Sequence, residues 1–153
     1  MQRVFLTFFG VGFIPFAPGT WGSVAGAVVG YYILYFFSST TLFLATILLT
    51  AVSVSVINDY EAKTGEHDHK SIVIDEVAGV WIAFVLSGAT LLQLILSLAF
   101  FRVFDILKPS IIGRIDRDVK GGLGVMADDI VAGIMAGIAS AMVYGVALKF
   151  NLV

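Results

Sequence analysis

The sequence predicts an all-α, polytopic membrane helical bundle of about five spans plus a short N-terminal re-entrant or interfacial segment, and three observations predict it. Of the 153 residues, 59% are hydrophobic and only 13% are charged, with a mean hydropathy of +0.99. An ordinary soluble domain is roughly 45–50% apolar and about 25% charged, so this chain has too little charge to cover a water-facing surface. The apolar residues come in long runs divided by short polar connections. Finally, glycines recur at every fourth residue in two of those runs, as Gly22, Gly26 and Gly30 and as Gly133 and Gly137. Small residues at that spacing let helix backbones approach closely in lipid. Packing within one chain is the first reading of these stripes, and a homodimer contact is the second.

The elements follow in order. Residues 4–17 form an apolar stretch too short to span, broken by Pro15, Pro18 and Gly19, which reads as re-entrant or interfacial. No small-residue cleavage site follows it, so it does not read as a signal peptide. Residues 21–37, 41–57 and 125–148 reach the length of a spanning helix, and 89–104 nearly does. Residues 72–86 are the weakest span, short and carrying Asp75 and Glu76 near their start. No repeat or linker divides the chain, so residues 1–153 read as a single domain.

Charge is distributed unevenly. All eleven acids lie between Asp59 and Asp129, and outside residues 59–129 the only charges are Arg3 and Lys149. A net charge of -2 without a basic stripe argues against nucleic-acid binding. The absence of cysteine removes disulfides, thiolate nucleophiles and Cys-based metal sites. Lys108, Arg114, Arg117 and Lys120 put the loop 108–124 in the cytoplasm by the positive-inside rule. A turn at Ser87-Gly88-Ala89 returns the loop 58–71 to the same face, and the uncharged Ser38-Ser39-Thr40 connection faces the other side.

Three constellations then gather on one membrane face. Asp75 and Glu76 sit near a helix start. Arg102, Asp105 and Lys108, at i, i+3 and i+6, share a helical face. Asp128 and Asp129 open the last helix after the Gly121-Gly122-Leu123-Gly124 stretch. An acid at a helix centre in lipid costs about 2.5–3.5 kcal/mol, so Asp75, Glu76, Asp105 and Asp129 are read as ligands of a hard cation. Oxygen-only donors suit Mg²⁺. The plainer alternative, an Arg102–Asp105 ion pair with solvated loop acids, is preferred for Asp59, Glu61 and Glu66. Thr20 and Ser23 read equally as helix caps and as part of a phosphate-binding helix N-terminus. His67-Asp68-His69 lacks the further ligands of a zinc site. Asp116-Arg117-Asp118-Val119 imitates a haloacid-dehalogenase nucleophile motif, but that motif needs a strand in a doubly wound sheet.

Three blocks taken together resemble the phosphatidylglycerophosphatase A family. They are Pro18-Gly19-Thr20 with Gly22-Ser23; Asp68 and Ser71 through Glu76, with Gly79; and Phe101-Arg102, Asp105, Lys108-Pro109, Asp116-Arg117, Gly121-Gly122, Gly124, Met126 and Asp128 through Gly133. The resemblance implies a Mg²⁺-dependent phosphatase of the bacterial cytoplasmic (inner) membrane, its site facing the cytoplasm, that hydrolyses phosphatidylglycerophosphate to phosphatidylglycerol. The family pattern falls on Asp68, Asp75, Glu76, Arg102, Asp105, Lys108, Asp128 and Asp129, with Asp118 at a variable position. Asp68, Asp75, Glu76, Asp105 and Asp129 are thereby expected to hold metal. Thr20, Ser23, Arg102 and Lys108 are expected to meet substrate, and Asp128 to act as base or nucleophile. The rival reading is a small-solute or ion transporter with intramembrane carboxylates; its acids would be spread through the bilayer depth. A CDP-alcohol phosphotransferase is disfavoured because its leading DxxDG motif is absent.

Overall fold

The computed structural model describes residues 2–66 and 69–152. Among them the chain forms seven α-helices and no strand: α1 (Gln2–Leu6), α2 (Pro18–Phe36), α3 (Ser39–Thr64), α4 (Ile74–Ser87), α5 (Leu91–Leu107), α6 (Ile111–Asp118) and α7 (Gly121–Lys149), with a 3₁₀ turn at Val11–Phe13. Local chemistry sets several of the ends. Ser38 caps α3 by accepting from the Thr41 N–H at 3.1 Å, and Thr90 and Gln93 form a reciprocal capping box on α5. Helix α3 runs past residue 57 to Thr64, where Gly65 turns left-handed with φ 72° and its N–H donates to the Glu61 carbonyl. Half of the loop expected at 58–71 is therefore helix. The expected loop 108–124 likewise contains α6 and the first turn of α7.

Helix α4, the stretch that the sequence reads as its weakest span, is the hub of the bundle. It packs against α2, α3, α5 and α7, and eleven of its residues are buried. The glycine stripes explain how so many helices crowd around it. Gly22, Gly26 and Gly30 of α2 face Val73, Val77 and Trp81, themselves spaced by four, and the Trp81 indole N–H donates to the Gly26 carbonyl at 2.8 Å. Gly133 and Gly137 of α7 face Gly79, Ile82, Ala83 and Leu86. Both stripes are buried within the chain, so the intramolecular reading describes them.

By length and composition two helices, α3 and α7, suffice to cross a membrane. Only 22% and 28% of their apolar windows are covered by the rest of the chain, whereas the core helix of a soluble protein would be mostly covered. Their outward faces carry residues such as Phe43, Leu44, Leu48 and Met142. Two such helices are consistent with a membrane protein. Helix α2 has 19 residues, but its glycines and tyrosines dilute its hydropathy, and α4 and α5 have 14 and 17. The N-terminal segment is tied to the base of α4, where the Val73 N–H donates to the Leu6 carbonyl at 2.9 Å. It leaves Phe9, Phe13 and Phe16 exposed.

Candidate active site

Four helix ends meet around one cavity of about 310 Å³. Asp75 and Glu76 enter from the first turn of α4, where the helix dipole favours negative charge. Asp128 and Asp129 enter from α7, 5% and 4% exposed. They lie two turns inside that helix and not at its opening, because α7 already begins at Gly121. Its start is anchored to α3 by the Gly122 N–H, which donates to Asn58 Oδ1 at 2.7 Å. Arg102 and Asp105 come from the last turns of α5, and Lys108 follows in a left-handed conformation, φ 44°, that turns the chain toward α6. Pro18 and Gly19 of α2 close the opposite wall, and a Cβ at Gly19 would collide with Glu76 Oε1.

Within the cavity the carboxylates divide into two groups. Asp75, Glu76 and Asp129 each offer an oxygen within 4.8 Å of the others. That separation is about twice a hard-cation–oxygen distance of roughly 2.0–2.6 Å. Glu76 Oε2 is buried without a hydrogen-bond donor, a costly state for a carboxylate unless a cation meets it. The donor set is all oxygen. It therefore fits a divalent hard cation.

The second group is held by the basic side chains. Arg102 forms an ion pair with Asp105 and donates to Ser23 Oγ at 3.2 Å and Thr20 Oγ1 at 3.3 Å. Lys108 Nζ donates to Asp116 at 2.5 Å and Asp128 at 2.8 Å. Burial disfavours the Lys108 ammonium, but the two carboxylates outweigh it and hold its pKa above the usual lysine range. Lys108 is a fixed positive charge.

Most sequence candidates converge here, with some reassigned. Asp75, Glu76, Arg102, Asp105, Lys108, Asp128 and Asp129 all line the cavity. Asp105 stands outside the trio of clustered carboxylates, paired with Arg102 instead. Thr20 and Ser23 are not caps: α2 begins at Pro18 with Ala17 as its N-cap, and both hydroxyls meet Arg102. Asp68 and His67 lie outside the described residues, while His69 sits 2.8 Å from Ser71 Oγ. Asp116 is the residue the sequence reading missed. It lay in a motif set aside as coincidence, and only its place in the resembling block pointed to it. Lys70, on the exposed rim, was also missed. Asp118 ends α6 exposed and outside the cavity.

Comparison with known proteins places the chain in a family. No solved structure matches the chain. A Haemophilus influenzae protein named phosphatidylglycerophosphatase A is 40% identical over 129 residues, covering 84% of this chain and 79% of the relative. The Escherichia coli protein of the same name is 39% identical over 129 residues, covering 84% and 74%. A Bacteroides thetaiotaomicron relative, provisionally named a phosphatidylinositol-3-phosphatase, is 38% identical over 136 residues, covering 84% of each. The family model described as Phosphatidylglycerophosphatase A matches residues 4–144, a stretch that contains every acid and base lining the cavity, and the chain belongs to that family.

Proposed function

We propose that this chain hydrolyses the phosphate monoester of phosphatidylglycerophosphate, releasing phosphatidylglycerol and inorganic phosphate, at the cavity bounded by α2, α4, α5 and α7. The observation that carries the reading is the charge balance of that cavity. Six carboxylates, Asp75, Glu76, Asp105, Asp116, Asp128 and Asp129, line it against three basic residues, Lys70, Arg102 and Lys108. A phosphate dianion would be repelled by such a surface unless a divalent cation offset the excess. Asp75, Glu76 and Asp129 are the residues to hold it, with Mg²⁺ as the ion this donor set suits. When bound, the cation supplies charge neutralisation and polarisation of a phosphoryl oxygen.

The chain's own residues supply the rest. Arg102, whose buried Nε has no partner, is available to donate to a phosphate oxygen while Thr20 and Ser23 steady its guanidinium. Asp105 fixes the same guanidinium from the other side. Lys108, permanently charged, positions Asp128 as the carboxylate to take a proton from the attacking water, or to attack phosphorus itself. The reading places the cavity at the cytoplasmic face of the bacterial inner membrane, with α2, α4 and α5 joining α3 and α7 as spans. The transporter alternative finds no support, since the acids collect at one end of the bundle.

The test is phosphate release by the purified protein in detergent micelles. Phosphatidylglycerophosphate should be hydrolysed, with activity abolished by a chelator and restored by Mg²⁺. Full turnover in excess chelator would refute the cation assignment. A preference for phosphatidylinositol 3-phosphate would transfer the substrate assignment to the Bacteroides relative's name.

A further inference from the structure

Helices α2 and α5 lie side by side on α4, and Arg102 bridges them at the polar end by its contacts to Thr20 and Ser23. Beyond that bridge the two helices part. The space between them is an apolar groove of about 310 Å³, walled by Val24, Val28 and Tyr32 on α2 and by Leu91 and Ile95 on α5, with Phe84 of α4 as its floor. None of its lining residues is charged. We propose that this groove seats one acyl chain of the lipid whose phosphate is processed next to Arg102. The inference rests on the phosphatase reading above and deepens it by assigning the place of the substrate's tail.

Three features select this occupant and this groove. Arg102 lines the phosphate cavity and stands at the head of the groove, so a lipid with its phosphate in the cavity has its glycerol backbone at that point. From Ser23 to Tyr32 is nine residues of helix, about 14 Å at a rise of 1.5 Å per residue. That matches the roughly 15 Å depth of one leaflet of a bilayer core about 30 Å thick. The groove's walls are open to the side, with Val28 and Ile95 both more than half exposed, so the tail can enter laterally from the membrane without leaving hydrocarbon.

The larger apolar groove, about 530 Å³ between α3 and α7, lacks the first feature. Toward the polar end α3 and α7 close on each other instead of parting, with Gly122 against the Val54 carbonyl and bonded to Asn58.

The experiment blocks each groove with outward-facing residues, so that folding is little disturbed. Val28→Trp with Ile95→Trp fills the α2/α5 groove, and Ile47→Trp with Ile134→Trp fills the α3/α7 groove. Hydrolysis of dipalmitoyl and dihexanoyl phosphatidylglycerophosphate is compared in mixed micelles. The first pair should lower kcat/KM for the long-chain substrate at least tenfold and change the short-chain value less than threefold. The second pair should alter neither by more than threefold. Equal loss on both substrates, no loss on either, or the same selective loss from the second pair overturns the inference. Failure of the unmodified chain to hydrolyse either substrate overturns the phosphatase reading instead. The groove is then read directly with a phosphatidylglycerophosphate carrying a diazirine at the end of one acyl chain: crosslinks concentrated on α2 and α5 uphold it, and crosslinks on α3 and α7 overturn it.

Discussion

Asp118 and Asp129 are carboxylates eleven residues apart whose surroundings differ completely. Asp118 is exposed at the end of α6, where a single charge in water contributes little. Asp129 is 4% exposed and one of three clustered carboxylates, with Asp75, Asp105 and Asp128 as its electrostatic neighbours. Asp129→Asn keeps the size of the side chain and removes the charge that holds a cation. Turnover should fall by at least about a hundredfold, on the scale of roughly 3 kcal/mol of transition-state stabilisation. Asp118→Asn should stay within about threefold of the parent. Steady-state kinetics on proteins matched by size-exclusion profile makes the comparison, and a dead Asp118→Asn beside an active Asp129→Asn would move the site to α6. Gly19 is constrained at the same scale. A methyl group there would strike Glu76 Oε1, so Gly19→Ala should weaken activation by Mg²⁺ several-fold while leaving expression unchanged, measured as the Mg²⁺ concentration for half-maximal rate.

At the scale of elements, Lys108 ties three helices together. It ends α5, and its ammonium reaches Asp116 on α6 and Asp128 on α7. Replacing it with Met keeps the stem and leaves Asp128, 5% exposed, without its cation. Lys108 is itself about a third exposed, so the expected cost falls below the roughly 3–5 kcal/mol of a fully buried pair, to about 2 kcal/mol. Thermal unfolding in detergent should register this as a melting temperature lower by several degrees. The raised Lys108 pKa sets the pH window. Stabilisation from a raised pKa is complete below the unfolded-state value and fades only as pH climbs through the higher folded value. The difference between parent and Lys108→Met should therefore hold steady from about pH 7 to about pH 9. A gap that closed across that interval would show that Lys108 titrates there and that its pairs are weaker than the geometry indicates.

The whole molecule is a bundle with one polar end. Ser39 opens α3 at the far end, whereas Asn58, toward the other end of the same helix, bonds Gly122 beside the acids. Ser110 lies in the α5–α6 turn at the acidic end. Both serines are exposed, and the chain has no cysteine of its own, so single cysteines at these positions report cleanly. In sealed cells, Ser110→Cys should react only with a permeant thiol reagent, and Ser39→Cys with an impermeant one as well. Labelling of both from one side would exclude the proposed membrane orientation and an odd number of crossings between them.

The sequence alone determined the helical class, the apolar surface and which stretches bear charge, because each of these follows from composition and local periodicity. It also brought most of the cavity's charged residues to notice, since an acid in an apolar run is conspicuous for its desolvation cost. Helix ends were less legible. The continuation of α3 to Thr64 and the early start of α7 at Gly121 depend on packing and hydrogen bonds to other helices, which no local pattern records. The role of α4 was the furthest from view: a 14-residue segment reads as a poor span, yet two glycine stripes bring α2 and α7 against it. Partnership was likewise tertiary. Thr20 and Ser23 read equally as caps and as part of a phosphate site, and the motif holding Asp116 read as coincidence, until the fold carried Arg102 across to the first pair and Lys108 across to Asp116. Residues about eighty positions apart meet because helices pack, and that pairing is written in the complementarity of whole faces, not in any stretch of sequence.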